Sequence, residues 1–186
     1  TNTIFKVENK KNNNFKISSF NKYLIFFISL LFFYLFYLLI PLLYDKNWVQ
    51  KNIEKKFLTE FKINLSTSAN ISYRILPAPH FLIKDSTILI DNTEKLKSIA
   101  EIKTLRVFIK QKNFANKEKL SLKKVVINNA NFSLTRSDIV LLNEFSNNQF
   151  SSKKIKISNS KIFFKDHLNE AISIIKIDNA IFFFDK

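Results

Sequence analysis

The residues best suited to acid–base or metal chemistry are few. His80 and His167 are the only histidines, 87 residues apart, with Asp85 near the first and Asp166 beside the second. A His–carboxylate pair can pass a proton to or from a substrate when the two groups meet. Asp and Lys are so common here that adjacency in sequence arises by chance. No H-x-x-x-H or paired His/Asp spacing points to a metal. Cys and Gly are absent, which removes disulfides, thiolate metal sites and cysteine nucleophiles. It also removes the glycine loops that let backbone approach phosphate. The expectation is a protein without catalytic residues, metal or cofactor, so its elements matter more than any reactive group.

Of 186 residues, 30 are Lys or Arg and 15 are Asp or Glu, a formal charge of +15. Lys (27) and Asn (22) abound, while Ala (7) and Arg (3) are scarce. Lys, Asn, Ile and Phe have A+T-rich codons, so base composition could explain much of this balance without an anionic partner. Such a charge is otherwise a cue for nucleic acid. Residues 45–186 carry +11, from 25 basic and 14 acidic residues. Yet Arg74, Arg106 and Arg136 are the only bidentate donors, and the glycine-dependent single-strand motifs are missing. Anionic headgroups explain the same charge, and no nucleic-acid partner is expected.

Tyr23–Tyr44 runs for 22 residues without a charge, with Ser29 as its only small polar side chain. About 20 such residues in a helix cross the hydrocarbon core. Tyr23, Tyr44 and Trp48 mark its ends, where amphipathic rings favour headgroups. The run is too long for a cleaved signal peptide and no small-x-small site comes after it, so it reads as a signal anchor. Five lysines flank it on each side within 20 residues, so charge leaves the orientation undecided. Residues 1–22 read as a polar, disordered arm. Residues 45–186 are long enough for one domain. The absence of Met and the Thr1 start read as an excerpt of a longer frame.

Val49, Ile53, Phe57 and Phe61 recur every four residues over Asp45–Phe61, predicting an amphipathic helix packed on a sheet. From residue 62 the period becomes two, as in Ile71, Tyr73, Ile75 and again in Leu105, Val107, Ile109, predicting strands. Leu76-Pro77-Ala78-Pro79 interrupts with a bend. Ser137–Phe145 reads as a short helix, with Ser137 a candidate cap. Four segments share one form, an Asx residue, a small residue, then an apolar strand. They begin at Asp85, Asn129, Asn159 and Asn179. Asx residues tolerate left-handed backbone, so each is a candidate bend or bulge between two strand halves. Ile162-Phe163-Phe164 and Ile181-Phe182-Phe183-Phe184 are apolar on both strand faces, and something must cover them.

The order of these features resembles the N-terminal region of the AsmA family, membrane-anchored proteins of the Gram-negative envelope related to bridge-like lipid transfer proteins. The likeness runs from the anchor through the helix into Ala69-Asn70-Ile71-Ser72-Tyr73-Arg74-Ile75-Leu76-Pro77-Ala78-Pro79-His80-Phe81-Leu82-Ile83-Lys84-Asp85. That stretch is similar to the family's strand, Leu-Pro-x-Pro, strand, Asp segment. Ser98–Val107 and Leu122–Ala130 continue it, and the tail shares only its strand character. Family members carry Gly at strand turns and run several hundred residues longer.

The resemblance implies an α+β, mainly β chain in which a membrane helix and a juxtamembrane helix precede a curved antiparallel sheet forming a half-barrel groove. It implies a cytoplasmic arm, an inner-membrane anchor at 23–44 and a periplasmic domain at 45–186. The implied role is phospholipid transport or homeostasis and outer-membrane biogenesis, with phospholipid or another acyl-chain lipid, the inner membrane and other envelope proteins as partners. Each CH₂ kept from water is worth roughly 0.8 kcal/mol, so a dry groove lowers the cost of extracting a lipid. Candidate lining residues are Ile71, Tyr73, Ile75, Phe81, Ile83, Ile88, Ile90, Val107, Ile109, Phe132, Leu134, Phe164 and Phe182. Period two separates the faces without saying which of these meets lipid. The alternatives are a bitopic β-jelly-roll scaffold of lipopolysaccharide export, or a basic module for nucleic acid or an anionic surface.

Overall fold

The computed structural model describes residues 18–61, 63–92, 95–140, 153–166, 168 and 170–182. The expected disordered arm falls largely, and His167 entirely, outside them. The chain forms two compact units, Thr1–Phe36 and Tyr37–Lys186. Helix α1 (Ser19–Leu39) begins in the first and exposes its apolar side chains on every turn as far as Phe36, with Leu38 buried. With the 3₁₀ turn Ile40–Leu43 it makes a 25-residue segment long and apolar enough to cross a membrane.

Helix α2 (Lys46–Lys56), in the second unit, forms where the apolar spacing predicts it. Asp45 caps it, Oδ1 accepting from the Trp48 N–H at 2.8 Å, and Lys55 and Lys56 sit at its negative end. Four-residue spacing drifts about 40° per step around a helix of 3.6 residues per turn. The last turn, Phe57–Phe61, widens into a π-helix, which counters the drift. Val49, Ile53, Phe57 and Phe61 are consequently all at most 2% exposed. Glu54 ties the helix to the sheet, its Oε1 accepting from the Thr67 N–H and hydroxyl, each at 2.8 Å.

Among the described residues seven strands form one sheet: β1 (Asn64–Thr67), β2 (Ile71–Arg74), β3 (His80–Asn92), β4 (Lys95–Ile109), β5 (Leu122–Thr135), β6 (Lys154–Lys165) and β7 (Ala171–Phe182). Their order is β1-β3-β4-β5-β6-β7, with β2 pairing the first half of β3 and β1 its second half. The Leu-Pro-Ala-Pro bend separates β2 from β3, with Leu76–Pro77 cis. The expectation of a wholly antiparallel sheet needs one correction: β5 and β6 run parallel. Their connection, residues 136–153, is long enough for the crossover that parallel pairing requires. Parallel pairing at a constant offset of 30, from Lys124↔Lys154 to Thr135↔Lys165, sets the Asn129 and Asn159 segments side by side in phase.

Asp85, Asn129 and Asn159 have φ of 54°, 56° and 48°, the left-handed conformation that Asx tolerates. Asn179, fourth of the series, is not among them. Register places Asp85, Lys103, Asn129, Asn159 and Asp178 on one line across β3 to β7, each skipped between paired neighbours. On every strand the alternation reverses at this line. Phe81 and Ile83 point inward before it, and Ser86, Ile88 and Ile90 after it; Val125 and Ile127 precede it, and Ala130 and Leu134 come after. The line thus keeps both strand halves apolar on the same side. The small residue after each left-handed one is buried there: Ser86 2%, Ala130 1%, Ser160 3%. Ser160 Oγ accepts the Ala130 N–H at 3.0 Å where the ladder is broken.

Residues 136–140 are helical, overlapping the start of the expected helix Ser137–Phe145, whose residues 141–145 lie outside those described. The cap is Thr135, not Ser137. Asp138 Oδ2 accepts the Thr135 N–H at 2.8 Å and its hydroxyl at 2.7 Å, one arm of a capping box.

Candidate functional site

Register resolves the apolar face into rows that cross the sheet. One row is Tyr73, Phe81, Val107, Val125, Ile155 and Phe182, and the next is Ile71, Ile83, Leu105, Ile127, Ile157 and Ala180. Beyond the reversal line comes Leu65, Ile88, Ala100, Phe132, Ile162 and Ile175. Leu134 and Phe164 lie further on, at the end of β5 and β6.

Cover over this face is uneven. Val49, Ile53, Phe57 and Phe61 of the helix join one buried cluster with Leu65, Ile71, Phe81 and Ile83. Ile83, Leu105 and Val107 are fully buried. Along β6, Ile155 and Ile157 are 6% and 9% exposed, while Ile162 and Phe164 beyond Asn159 are only partly buried. On β7, Ile175 and Phe182 are 47% and 49% exposed. Phe132, Ile162, Phe164, Ile175, Ile177 and Phe182 therefore form an apolar patch continuous with the core but outside its helix cover.

The thirteen candidates lie on or beside this one face. Ile71, Phe81, Ile83, Ile88, Ile90, Val107, Ile109 and Leu134 are buried in the core cluster. Tyr73, Ile75, Phe132 and Phe164 pack on it partly buried, and Phe182 is exposed. Burial pushes the Tyr73 phenol up to about 12, with Tyr44 adding to the effect. It stays protonated and donates to the Leu38 carbonyl at 2.7 Å. Ile162, Ile175 and Ile177 also join the patch. Sequence reasoning leaves them out of the lining set, although their apolar runs are visible there.

The opposite face is mixed: the basic Arg106, Lys156, Lys161 and Lys176 and the acidic Glu101 share its rows with Leu82, Val126, Phe163, Ile174 and Ile181. A cleft of about 530 Å³ opens toward this side at the far end of β4 to β6, with Lys97, Asn131, Ser133, Thr135, Phe163 and Lys165 in its lining. It lies away from the apolar patch. Lys97 there is held by Asp138, Nζ donating at 2.7 and 3.0 Å. Burial alone would raise the Asp138 carboxyl, but hydrogen bonds from Lys97 and Thr135 outweigh it and hold the group below its ordinary range. This pair gives no sign in the sequence, its members lying 41 residues apart.

His80 is taken up by the fold. Its Nδ1–H donates to the Ala78 carbonyl at 2.7 Å and its ring stacks on Phe108 at 4.9 Å. Burial lowers its pKa, the Ala78 bond opposes this, and Arg106 and Arg74 lower it further, so the ring is neutral at pH 7. Asp166 closes a turn, accepting the N–H groups of Leu168 and Glu170 at 2.9 Å.

The chain matches no known family model, no curated protein and no solved structure.

Proposed function

We propose that this chain is an inner-membrane-anchored, periplasmic protein of the AsmA type that handles lipid. Its sheet, rolled as a half-barrel, shelters acyl chains while headgroups remain in water. The carrying observation is the in-register apolar face that continues from a buried core onto the partly buried Phe132, Ile162, Phe164 and Ile177 and, among the described residues, ends in the exposed Ile175 and Phe182. Exposed apolar area of this kind marks a binding surface or an aggregation liability. Acyl chains suit it because the patch is a strip of methyl groups and phenyl rings with few hydrogen-bonding groups, which selects for apolar length and not for polar detail. On this reading the protein takes part in phospholipid transport or homeostasis and outer-membrane biogenesis without a catalytic step.

A photoreactive phenylalanine at position 164 or 182 of the full chain in native membranes should yield lipid adducts. Phe132→Asp should abolish adducts at both positions while the protein stays in the membrane fraction. A folded, inserted chain that gives no lipid adduct at either position would overturn the reading. The scaffold alternative meets a different observation: the described strands form one sheet, whereas a jelly roll needs two.

A further inference from the structure

A second surface of different chemistry lies beside residues 37–48, where the apolar segment ends. The β4–β5 loop, residues 110–121, is pinned from beneath by Phe114 and Leu120, 0% and 1% exposed. The Asn116 carboxamide accepts the Glu118 and Lys119 N–H groups, and Asn113 Nδ2 donates to the Lys119 carbonyl at 2.8 Å. This loop is a built element that holds four lysines, Lys110, Lys112, Lys117 and Lys119, exposed in fixed places. Glu118 is the only acid among them. None of the four forms an ion pair among the described residues.

The loop is bound to residues at the end of the apolar segment. Tyr37 stacks on Phe114 with centroids 5.6 Å apart, and its hydroxyl donates to the Gln111 carbonyl. The Tyr44 hydroxyl donates to the Phe114 carbonyl at 2.6 Å. Tyr44 also meets Trp48 edge-on at 5.5 Å, and Lys117 Nζ lies 5.7 Å over the Trp48 ring. About 20 residues cross a hydrocarbon core and this segment has 25, so its last turn reaches the headgroup layer. Tyr and Trp are the rings that favour that layer. The loop that carries the four lysines is thereby bound beside the end of the segment.

We infer that residues 110–119, with Tyr37, Tyr44 and Trp48, form a cationic collar that binds the headgroups of anionic phospholipids in the bilayer that Ser19–Leu43 crosses. Charge complementarity and the place beside the segment's end point to lipid phosphate in place of a soluble polyanion. The inference does not depend on acyl-chain handling by the sheet, from which the collar is a separate surface.

Trp48 is the only tryptophan and reports on the collar directly. The full chain is placed in nanodiscs of neutral phosphatidylcholine containing either brominated phosphatidylglycerol or brominated phosphatidylcholine at equal mole fraction. The anionic quencher should reduce Trp48 emission several-fold more, since one lysine near an anionic surface is worth about five-fold in local enrichment. Molar salt should shrink the difference. Replacing all four lysines by Gln should abolish it, and replacing them by Arg should keep it. Unfolding curves for both variants should stay close to the parent's because the side chains are exposed, the Lys117–Trp48 contact being the one the Gln variant loses. Equal quenching by both lipids in the parent chain would overturn the collar. So would a Trp48 response to a DNA oligonucleotide with no preference for the anionic lipid.

Discussion

Along β3 and β4 the apolar face shares one buried cluster with α2 and excludes water; along β6 and β7 the same face continues with no helix over it among the described residues. Ile83 is 0% exposed and Ile175, on the same side of the sheet, 47%. An alternating pattern records which way a side chain points and nothing about what stands opposite. The contrast separates two jobs that one pattern supports: on β3 and β4 it holds the domain together, and on β6 and β7 it leaves apolar surface to be met by something else.

The covered half should break first. Leu105→Ala, at a fully buried position, should lower unfolding free energy by about 2–5 kcal/mol in denaturant titration. Ile83→Lys would unfold the domain and so could not test lipid contact. Glu54→Ala leaves the Thr67 N–H and hydroxyl unpartnered under the helix, and should cost about 1–3 kcal/mol by the same titration. At the line where the halves meet, Asn129→Ala forces a Cβ-bearing residue without a local hydrogen-bonding side chain into left-handed backbone. A loss of about 1–2 kcal/mol is expected, and Asn129→Gly should recover most of it.

Asp138 gives a pH arm. Folding holds its carboxyl below the unfolded value of about 3.9. Its contribution is therefore complete above that value and is lost as pH falls through the lower folded-state pKa. The stability gap between the parent and Asp138→Asn should be widest at neutral pH and close in acid. The smallest effect belongs to the uncovered half. Ile175→Ser should shift unfolding by no more than about 0.5 kcal/mol, and a loss comparable to that of Leu105→Ala would show that this half is covered after all.

Much of this architecture is legible in the residues. Four-residue spacing marks α2, charge-free length marks the membrane-compatible helix, and three of the four Asx-small-apolar segments mark where the alternation reverses, the reversals at Lys103 and Asp178 having no such mark. Local chemistry decides each of these, through helix geometry, hydrogen-bond starvation in lipid and the tolerance of Asx for positive φ. The parallel β5–β6 pair is not legible, because parallel and antiparallel neighbours draw on the same alternation. Nor is the boundary between core and exposed patch, since Phe81 and Phe182 occupy one row and differ only in what covers them. The Lys97–Asp138 pair and the Lys110–Lys119 collar depend on long-range folding that places otherwise ordinary charges, so spacing gives no cue.

The row from Asp85 to Asp178 works as a password for sheet growth. Among the described strands β7 is the outermost, and an edge of this kind presents backbone groups to a passing strand. A newcomer with uninterrupted alternation can match β7 on one side of Asp178, but beyond it every polar side chain lands on the greasy side. Full-length extension is reserved for strands that carry their own phase reversal at the same height, and random partners are turned away after half a strand.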